Sequence, residues 1–134
     1  DILQEVGLDQ KFYDRYPHML SGGQRQRVGI ARALITHPQF VICDEPVSAL
    51  DVQIQKQILD LLQNLQQKKN LGYLFISHDL QVVRKFSQQI LVMSKGLIVE
   101  QGVTADIFTH PQQEYTKMLL SSQPKGFRPM KENL

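Results

Sequence analysis

The chain has 134 residues, which is the usual length of about one domain. Hydrophobic residues make up 42% and charged residues 21%, an ordinary globular composition that excludes disordered and collagen-like classes. Lys and Arg number 15 against 13 for Asp and Glu, and the net charge of +2 is too small to indicate nucleic acid or anionic lipid as a bulk partner.

The first third of the chain predicts two helices and a strand. A short helix over residues 1–6 ends at Gly7, and Pro17 interrupts the polar and aromatic stretch that follows. A longer helix is predicted over 21–35, with one apolar face made of Val28, Ala31 and Ile35. The apolar run 40–43 predicts a strand buried on both faces, and its Cys43 is interpreted as a small core residue.

The middle of the chain predicts a second strand in parallel with the first. Residues 52–67 form the clearest predicted helix, with apolar side chains at steps of three and four: Ile54, Ile58, Leu61, Leu62 and Leu65. Residues 73–76 are again a continuous apolar run and predict the second strand. A strand, a helix and a parallel strand make a βαβ unit.

The last part of the chain predicts short elements and a tail. A helix over 80–86 is followed by a hairpin, whose strands 90–93 and 97–99 flank the turn Lys95-Gly96. Two short helices are predicted around 105–108 and 113–120, and residues 124–134 are predicted to be mobile. No apolar run approaches the roughly 18–20 residues that a membrane-spanning helix requires.

Residues 21–24 place a serine and two glycines at the start of the longer predicted helix. Free backbone N–H groups and the helix dipole make such a start an anion site, and Gly22 and Gly23 would let a phosphate approach the backbone closely. On this feature alone a structural interpretation is favoured, because Ser21 with Gln24 three residues later is the pattern of a capping box. Three arginines follow and either attract an anion or solvate a face: Arg25, Arg27 and Arg32.

Asp44 and Glu45 follow the first predicted strand directly. In open α/β sheets ligands gather beyond the carboxyl ends of the strands, so two adjacent carboxylates there can take separate tasks. Asp44 would hold Mg²⁺ through water, because that ion keeps much of its hydration, and Glu45 would orient or deprotonate an attacking water. The alternative is a solvated strand end with two acidic side chains.

Asp51 and His78 lie in predicted loops. Asp51 precedes the long helix and would serve as its N-cap, so that by itself this position says little. His78 follows the second strand and could donate a hydrogen bond to a terminal phosphate, although a lone loop histidine is more often inert. Asp79 would cap the helix that comes next.

In order and spacing, these features resemble the second half of an ABC-type ATPase domain. Residues 20–24 resemble that family's signature sequence, 40–45 its Walker B strand with the catalytic glutamate, 48–51 its D-loop, and His78 its switch histidine. The resemblance covers about residues 1–120. It implies an α/β fold, the C-terminal half of a P-loop NTPase domain, with a mainly parallel sheet flanked by helices and part of the helical subdomain.

The same resemblance implies domain limits and residue roles. Residues 1–38 would belong to the helical subdomain, 39–110 to the C-terminal half of the RecA-like core, and 111–134 to a C-terminal helix and mobile tail. The catalytic residues would be Glu45 and His78, the Mg²⁺ residue Asp44, the D-loop residue Asp51, and the residues that contact ATP on a partner chain Ser21, Gly22, Gly23 and Gln24. Two ATP sites would then form between two ATPase subunits, identical or different.

Flanking segments look like the ATPase subunits of peptide importers, whose relatives serve dipeptides, oligopeptides, glutathione, nickel or peptide antibiotics. The segments are residues 15–18 (Arg-Tyr-Pro-His), 43–48, 75–80 and 115–120. This likeness implies ATP hydrolysis coupled to import at the cytoplasmic face of a membrane. Its expected partners are transmembrane permease subunits and, indirectly, an extracytoplasmic solute-binding protein, with no nucleic acid. Some members carry a C-terminal cysteine cluster that binds iron and sulfur; this tail has no cysteine, so no such cluster is expected.

No GxxxxGK[ST] motif occurs in the 134 residues, although its backbone and lysine are the main cradle for the β- and γ-phosphates. The chain opens on Asp1 within a predicted helix, so we expect a fragment that is inactive alone. Two other functions stay open. One is an ABC ATPase that acts on nucleic acid or ribosomes, whose long coiled coils and charged linkers are not visible here; the other is a truncated chain that only binds a partner.

Overall fold

The computed structural model describes residues 1–123, and these divide after His78 into two compact units. The predicted mobile tail, residues 124–134, lies outside the described residues. The domain limits placed after residues 38 and 110 stay predictions. None of the helices within residues 1–123 combines the length and the apolar character that crossing a membrane requires.

The first unit contains the predicted βαβ arrangement. Strands β1 and β2 pair in parallel, with Asp44 opposite Ile76 at their carboxyl ends. Two single 3₁₀ turns, Gln10–Phe12 and Pro17–Met19, lie between the first two helices. The elements in order are α1 (Ile2–Glu5), α2 (Gly22–Leu34), β1 (Phe40–Asp44), α3 (Val52–Lys69) and β2 (Gly72–Ile76).

Helix α2 begins where the sequence predicts, but its buried face is a different one. The predicted face of Val28, Ala31 and Ile35 is wrong for two of its members, because Val28 is 37% exposed and Ile35, the C-cap, is 62% exposed. The buried residues are Gly23, Ile30, Ala31 and Leu34. Apolar residues occur all around the last two turns of α2, so periodicity alone does not select the stripe that meets the rest of the unit.

The prediction that the first strand is buried on both faces is also wrong within the described residues. Phe40 and Ile42 are 58% and 63% exposed, whereas Cys43, whose side chain points to the opposite face of the strand, is buried. Leu74 and Ile76 on β2 lie on the same face as Ile42 and are exposed too. Successive side chains of a strand point to opposite faces, and only the face of Cys43 and Tyr73 is covered in this unit.

Helix α3 supplies the centre of the core, as its periodicity predicts. Ile58, Leu62 and Leu65 are buried, and Ile58 is completely so. Asn70 ends the helix in the left-handed conformation that a C-terminal cap favours. The rest of the buried apolar set in this unit is Cys43 of β1 and residues of the helices and loops: Val6, Leu8, Leu20, Ile30, Ala31, Leu34, Val47 and Leu71.

The second unit is built on the predicted hairpin. Its strands pair antiparallel across Lys95 and Gly96, which both have positive φ, as a type I′ turn requires. Asp79 caps the first helix of the unit, because one carboxylate oxygen accepts from the N–H groups of Gln81 and Val82. The elements are α4 (Leu80–Phe86), β3 (Gln89–Ser94), β4 (Leu97–Val103), α5 (Thr104–Thr109) and α6 (Glu114–Ser121).

Glu100 on β4 holds the start of α6, whose own N-cap residue makes no side-chain cap hydrogen bond. The carboxylate accepts from the backbone N–H of Gln112 at 2.7 Å and from that of Gln113 at 3.1 Å. These bonds favour the charged carboxylate, and the first of them is the main reason that the pKa of Glu100 lies below its ordinary value of 4.5. Glu100 therefore acts as a helix cap supplied from a neighbouring strand.

This cap makes the second unit sensitive to acid. Because the folded-state pKa of Glu100 is lowered, its stabilising effect is present above the unfolded-state pKa and is lost as the pH falls through the folded one. Glu100→Gln is expected to be less stable than the parent chain near neutral pH, and the gap is expected to close below about pH 4. Urea unfolding at a series of pH values measures the gap. Asp60→Asn on the exposed side of α3 is the control, and the same closing gap there would contradict the assignment.

Candidate functional site

The carboxyl end of β1 passes into a left-handed backbone turn at Glu45. This residue has φ +48°, a region that residues with a side chain seldom occupy and that costs about 1–3 kcal/mol. Its N–H donates to the carbonyl of Ile76 at 2.9 Å, and its carbonyl accepts from the Ser48 hydroxyl at 3.3 Å. The surrounding hydrogen bonds thus fix the strained turn and the direction in which the Glu45 side chain leaves the strand.

Glu45 and His78 are in direct contact at the end of the parallel pair. The Glu45 oxygen Oε1 accepts the backbone N–H of His78 at 3.2 Å and lies 2.9 Å from the ring nitrogen Nδ1. When Nδ1 carries a proton it donates to the carboxylate, which leaves Nε2 facing away from it. Glu45 is 35% exposed at its side chain and His78 is 78% exposed, so both groups are reachable from solvent.

The partnership of Glu45 and His78 is the feature that sequence reasoning missed. From the sequence, Glu45 and His78 have separate expected tasks, and each has a non-functional alternative: a solvated strand end for Glu45 and an inert loop histidine for His78. A signal was available, because parallel strands of equal length that end together bring the residues after them to one edge of the sheet. The register of the two strands, with Asp44 opposite Ile76, cannot be predicted from the two apolar runs.

Asp44 is the last residue of β1, and its carboxylate is exposed at the same strand end as Glu45. Among the described residues there is no group of three or more His, Cys, Asp or Glu that would hold a metal ion by itself. An exposed carboxylate at a strand end still fits Mg²⁺ bound to a nucleotide, because that ion is held by one or two carboxylates, waters and phosphate oxygens.

The predicted capping box at the start of α2 is confirmed. The Ser21 hydroxyl accepts from the N–H of Gln24 at 3.2 Å, and the Gln24 side chain accepts from the N–H of Ser21 at 2.9 Å. Gly22 and Gly23 occupy the first helical positions, whose N–H groups have no acceptor within a helix. Gly23 is buried and the capping box holds the first turn, so these backbone donors lie at a well-defined start of α2.

Two arginines of α2 bind backbone carbonyls, a role that the sequence pattern does not indicate. The guanidinium of Arg25 donates at 2.7 Å to the carbonyl of Leu20, the first residue of the signature segment, residues 20–24. That of Arg27 donates to the carbonyl of Val6 at 2.6 Å. Both bonds attach the loops before α2 to the helix itself.

Asp51 is the N-cap of α3, as its structural interpretation predicts. Its carboxylate accepts from the N–H of Ile54 at 3.0 Å. Its expected D-loop role toward a nucleotide stays a prediction.

Cys43 is buried in β1, and burial raises the pKa of its thiol to about 11. A cleft of about 230 Å³ between α2 and β1 reaches this residue and Asp44. Apart from Asp44, the cleft is walled mainly by apolar side chains, so it does not offer the donors that a triphosphate needs. The interpretation of Cys43 as a small core residue agrees with its burial.

Residues 1–48 match the family described as ABC transporter. The chain is 52% identical over 124 residues to a dipeptide transport ATP-binding protein, DppF, of Haemophilus influenzae, covering 92% of this chain and 38% of that protein. It is 54% identical over 124 residues to an oligopeptide transport ATP-binding protein, OppF, of Streptococcus pyogenes serotype M1, covering 92% and 40%. A peptidoglycan transport ATP-binding protein, YejF, of Agrobacterium fabrum is 56% identical over 120 residues, covering 90% and 22%.

Solved structures of ATP-binding cassettes share the fold. The ADP conformation of MJ1267, an ATP-binding cassette of an ABC transporter, superimposes with a TM-score of 0.75 at 28% identity, over 91% of this chain and 48% of that one. The dimeric post-hydrolysis state of the cassette MJ0796, bound to ADP and Pi, gives a TM-score of 0.66 at 33% identity, over 77% and 44%.

The chain spans 38% and 40% of the dipeptide and oligopeptide transport proteins that it matches, so it corresponds to part of their length. Over that part the identity exceeds one half, and the fold is the predicted α/β portion of an ATP-binding cassette. The chain belongs to the family of ABC transporter ATP-binding proteins, and its relatives include dipeptide and oligopeptide transport proteins.

Proposed function

We propose that this chain is the ATP-hydrolysing portion of an ABC importer subunit that energises the uptake of peptides or related small solutes. The observation that carries the proposal is the contact between Glu45 and His78 at the carboxyl ends of β1 and β2, 2.9 Å between Oε1 and Nδ1. Ligands of open α/β sheets bind beyond that edge. The names of the similar proteins support transport over an action on nucleic acid or ribosomes.

In the proposed reaction Glu45 is the general base. Its second oxygen, Oε2, is not engaged by the two bonds from His78, so it is the oxygen that accepts a proton from the attacking water. The water oxygen forms a bond to the γ-phosphorus as the bond from that phosphorus to ADP breaks, and the proton passes to Glu45. His78 holds the carboxylate in place, and its ring, 78% exposed, is the proposed donor to the terminal phosphate.

Asp44 is the residue proposed to hold Mg²⁺, through a water molecule. The ion, when bound with the nucleotide, neutralises charge on the phosphates. Asp44 contributes a fixed carboxylate for that purpose, one residue before the base and on the same strand end.

The segment 21–24 is proposed to serve a different ATP, bound to a second ATPase subunit. The first-turn N–H groups of Gly22 and Gly23 and the hydroxyl of Ser21 are the donors that would face the γ-phosphate. Two such chains, identical or different, would then form two shared sites, and hydrolysis would remove the phosphate that bridges them. The dimeric state of the cassette MJ0796 supports this arrangement.

The proposed partners beyond the second ATPase subunit are transmembrane permease subunits and, through them, an extracytoplasmic solute-binding protein. The proposed location is the cytoplasmic face of a membrane, as a peripheral subunit. The names of the dipeptide and oligopeptide transport proteins support a peptide as the transported solute.

A complementation experiment tests the proposal. The 134-residue chain has no GxxxxGK[ST] motif and is expected to bind ATP too weakly to saturate at about 1 mM. The joined protein, in which these residues follow a segment that carries the motif, is expected to bind and hydrolyse Mg-ATP. Calorimetric titration and phosphate release measure the two properties. A folded joined protein that binds no ATP would contradict the proposal, and the motif-bearing segment alone is the control.

A further inference from the structure

We propose that Ile54, with Leu50 beside it, is a positioning residue for the signature segment, and that Gly23 is a glycine because the Ile54 side chain fills the space beside it. The inference rests on the proposed function, since the segment that is positioned is the one expected to contact ATP. It differs from the interpretation that the glycines serve only to let a phosphate approach. Four observations support it.

The space beside the two glycines is occupied by protein atoms. A Cβ atom on Gly23 would lie 2.6 Å from Cγ2 of Ile54, and one on Gly22 would lie 3.2 Å from Cδ2 of Leu50. Carbon atoms in contact are about 3.5–4.0 Å apart, so an alanine at residue 23 would overlap Ile54. Gly29 in the same helix has nothing within 4 Å of its Cβ position.

Ile54 is held where it is. It lies in the first turn of α3, where a β-branched side chain has one strongly preferred χ1 rotamer. Its backbone N–H donates to the carboxylate of Asp51 at 3.0 Å, so the cap of α3 and the contact with Gly23 belong to the same residue. Ile54 is therefore a rigid surface against which the start of α2 rests.

The loop that leads to this surface begins at Glu45. The Ser48 N–H donates to the carbonyl of Glu45 at 3.4 Å, and the Leu50 N–H donates to that of Val47 at 3.2 Å. These two turns connect Glu45, the proposed base, to Leu50, the residue beside Gly22. The loop that carries Glu45 therefore also helps to position the signature segment.

The hydrogen bond from Arg25 to Leu20, the first residue of the segment, also helps to fix the segment. Arg25 donates to the carbonyl of Leu20, so the residue on one side of Ser21 is attached to α2, while Gly22 lies beside Leu50 of the loop that precedes α3 and Gly23 beside Ile54 of α3. Because the residues before and after Ser21 are both held, the backbone N–H groups at the start of α2 keep a fixed orientation. A ligand that binds these donors requires such a fixed orientation.

A set of variants separates packing from ligand access. Gly23→Ala is expected to lower the melting temperature of the 134-residue chain by roughly 5–10 °C. Adding Ile54→Ala removes Cγ2, so the double variant is expected to lose less than the sum of its two single losses. Adding Ile54→Val is the matched control, because valine keeps both γ carbons and no relief is expected. Gly29→Ala is expected to raise the melting temperature by roughly 2–5 °C.

The same variants in the joined protein report on positioning. Gly23→Ala is expected to reduce kcat/KM for ATP roughly 10- to 100-fold, and adding Ile54→Ala is expected to restore it to within about threefold of Ile54→Ala alone. Hydrolysis that stays low in that double variant would overturn the proposal, because the nucleotide itself would then require the glycine. Restoration by Ile54→Val as well as by Ile54→Ala would also overturn it.

Two further outcomes are distinguishable. If Gly23→Ala does not fold, a double variant with Ile54→Ala that folds and one with Ile54→Val that does not give the supporting result. A joined protein that hydrolyses no ATP without any substitution would contradict the proposed function instead. The melting temperatures would then still decide whether Ile54 is the reason for the glycine.

Discussion

Glu45→Gln in the joined protein is expected to slow ATP hydrolysis by about 10²–10⁴-fold while ATP stays bound. Glutamine has nearly the same shape as glutamate, and its amide oxygen can still accept the two hydrogen bonds from His78. It cannot take a proton from water at neutral pH. The loss is therefore expected in the chemical step and not in nucleotide binding.

The trapped nucleotide is expected to change the assembly as well. Because the γ-phosphate would bridge two subunits, the Glu45→Gln protein with ATP is expected to accumulate as a closed dimer, which light scattering after gel filtration detects. Glu114→Gln is the matched control, since it makes the same chemical change at a side chain that is 89% exposed on α6. Normal turnover by a folded Glu45→Gln protein would exclude Glu45 as the base.

Ile58→Ala is expected to destabilise the 134-residue chain by about 2–5 kcal/mol. The side chain is completely buried in the middle of α3, on the same helix face as the buried Leu62 and Leu65. Removing three carbon atoms there loses apolar burial and leaves a cavity. Small domains are stable by only about 5–15 kcal/mol, so this one substitution removes a large share of the total.

Urea unfolding followed by circular dichroism measures this loss. Val52→Ala is the matched control, because Val52 is on the same helix and 83% exposed. Its expected effect is within about 0.5 kcal/mol of zero. A loss at Ile58 no larger than that at Val52 would contradict the assignment of α3 to the centre of the core.

The elements with a strong period or a specific cap could be predicted from sequence. The spacing of Ile58, Leu62 and Leu65 predicts α3, and Ser21 with Gln24 predicts the start of α2, because both patterns depend on neighbouring residues alone. The hairpin at Lys95 and Gly96 is local in the same way. These features need no information about which parts of the chain meet.

Features that depend on a distant partner could not be predicted. The buried face of α2 is selected by what it packs against, and the exposure of Phe40 and Ile42 depends on what lies beside β1. The contact of Glu45 with His78 needs the register of two strands. The roles of Gly23 and Ile54 likewise appear only when α2 and α3 are placed side by side. In each case the sequence gives the residue types but does not show which distant residues they contact.

At Glu45 the left-handed backbone sets thermal stability against the proposed chemistry. Glycine adopts a positive φ without the penalty that a Cβ brings, so it would relieve the turn, but it would also delete the carboxylate. A directed-evolution screen that rewards heat resistance alone would therefore select against the proposed activity at this position. A screen for faster turnover would have to keep the strained glutamate and find its stabilising substitutions elsewhere.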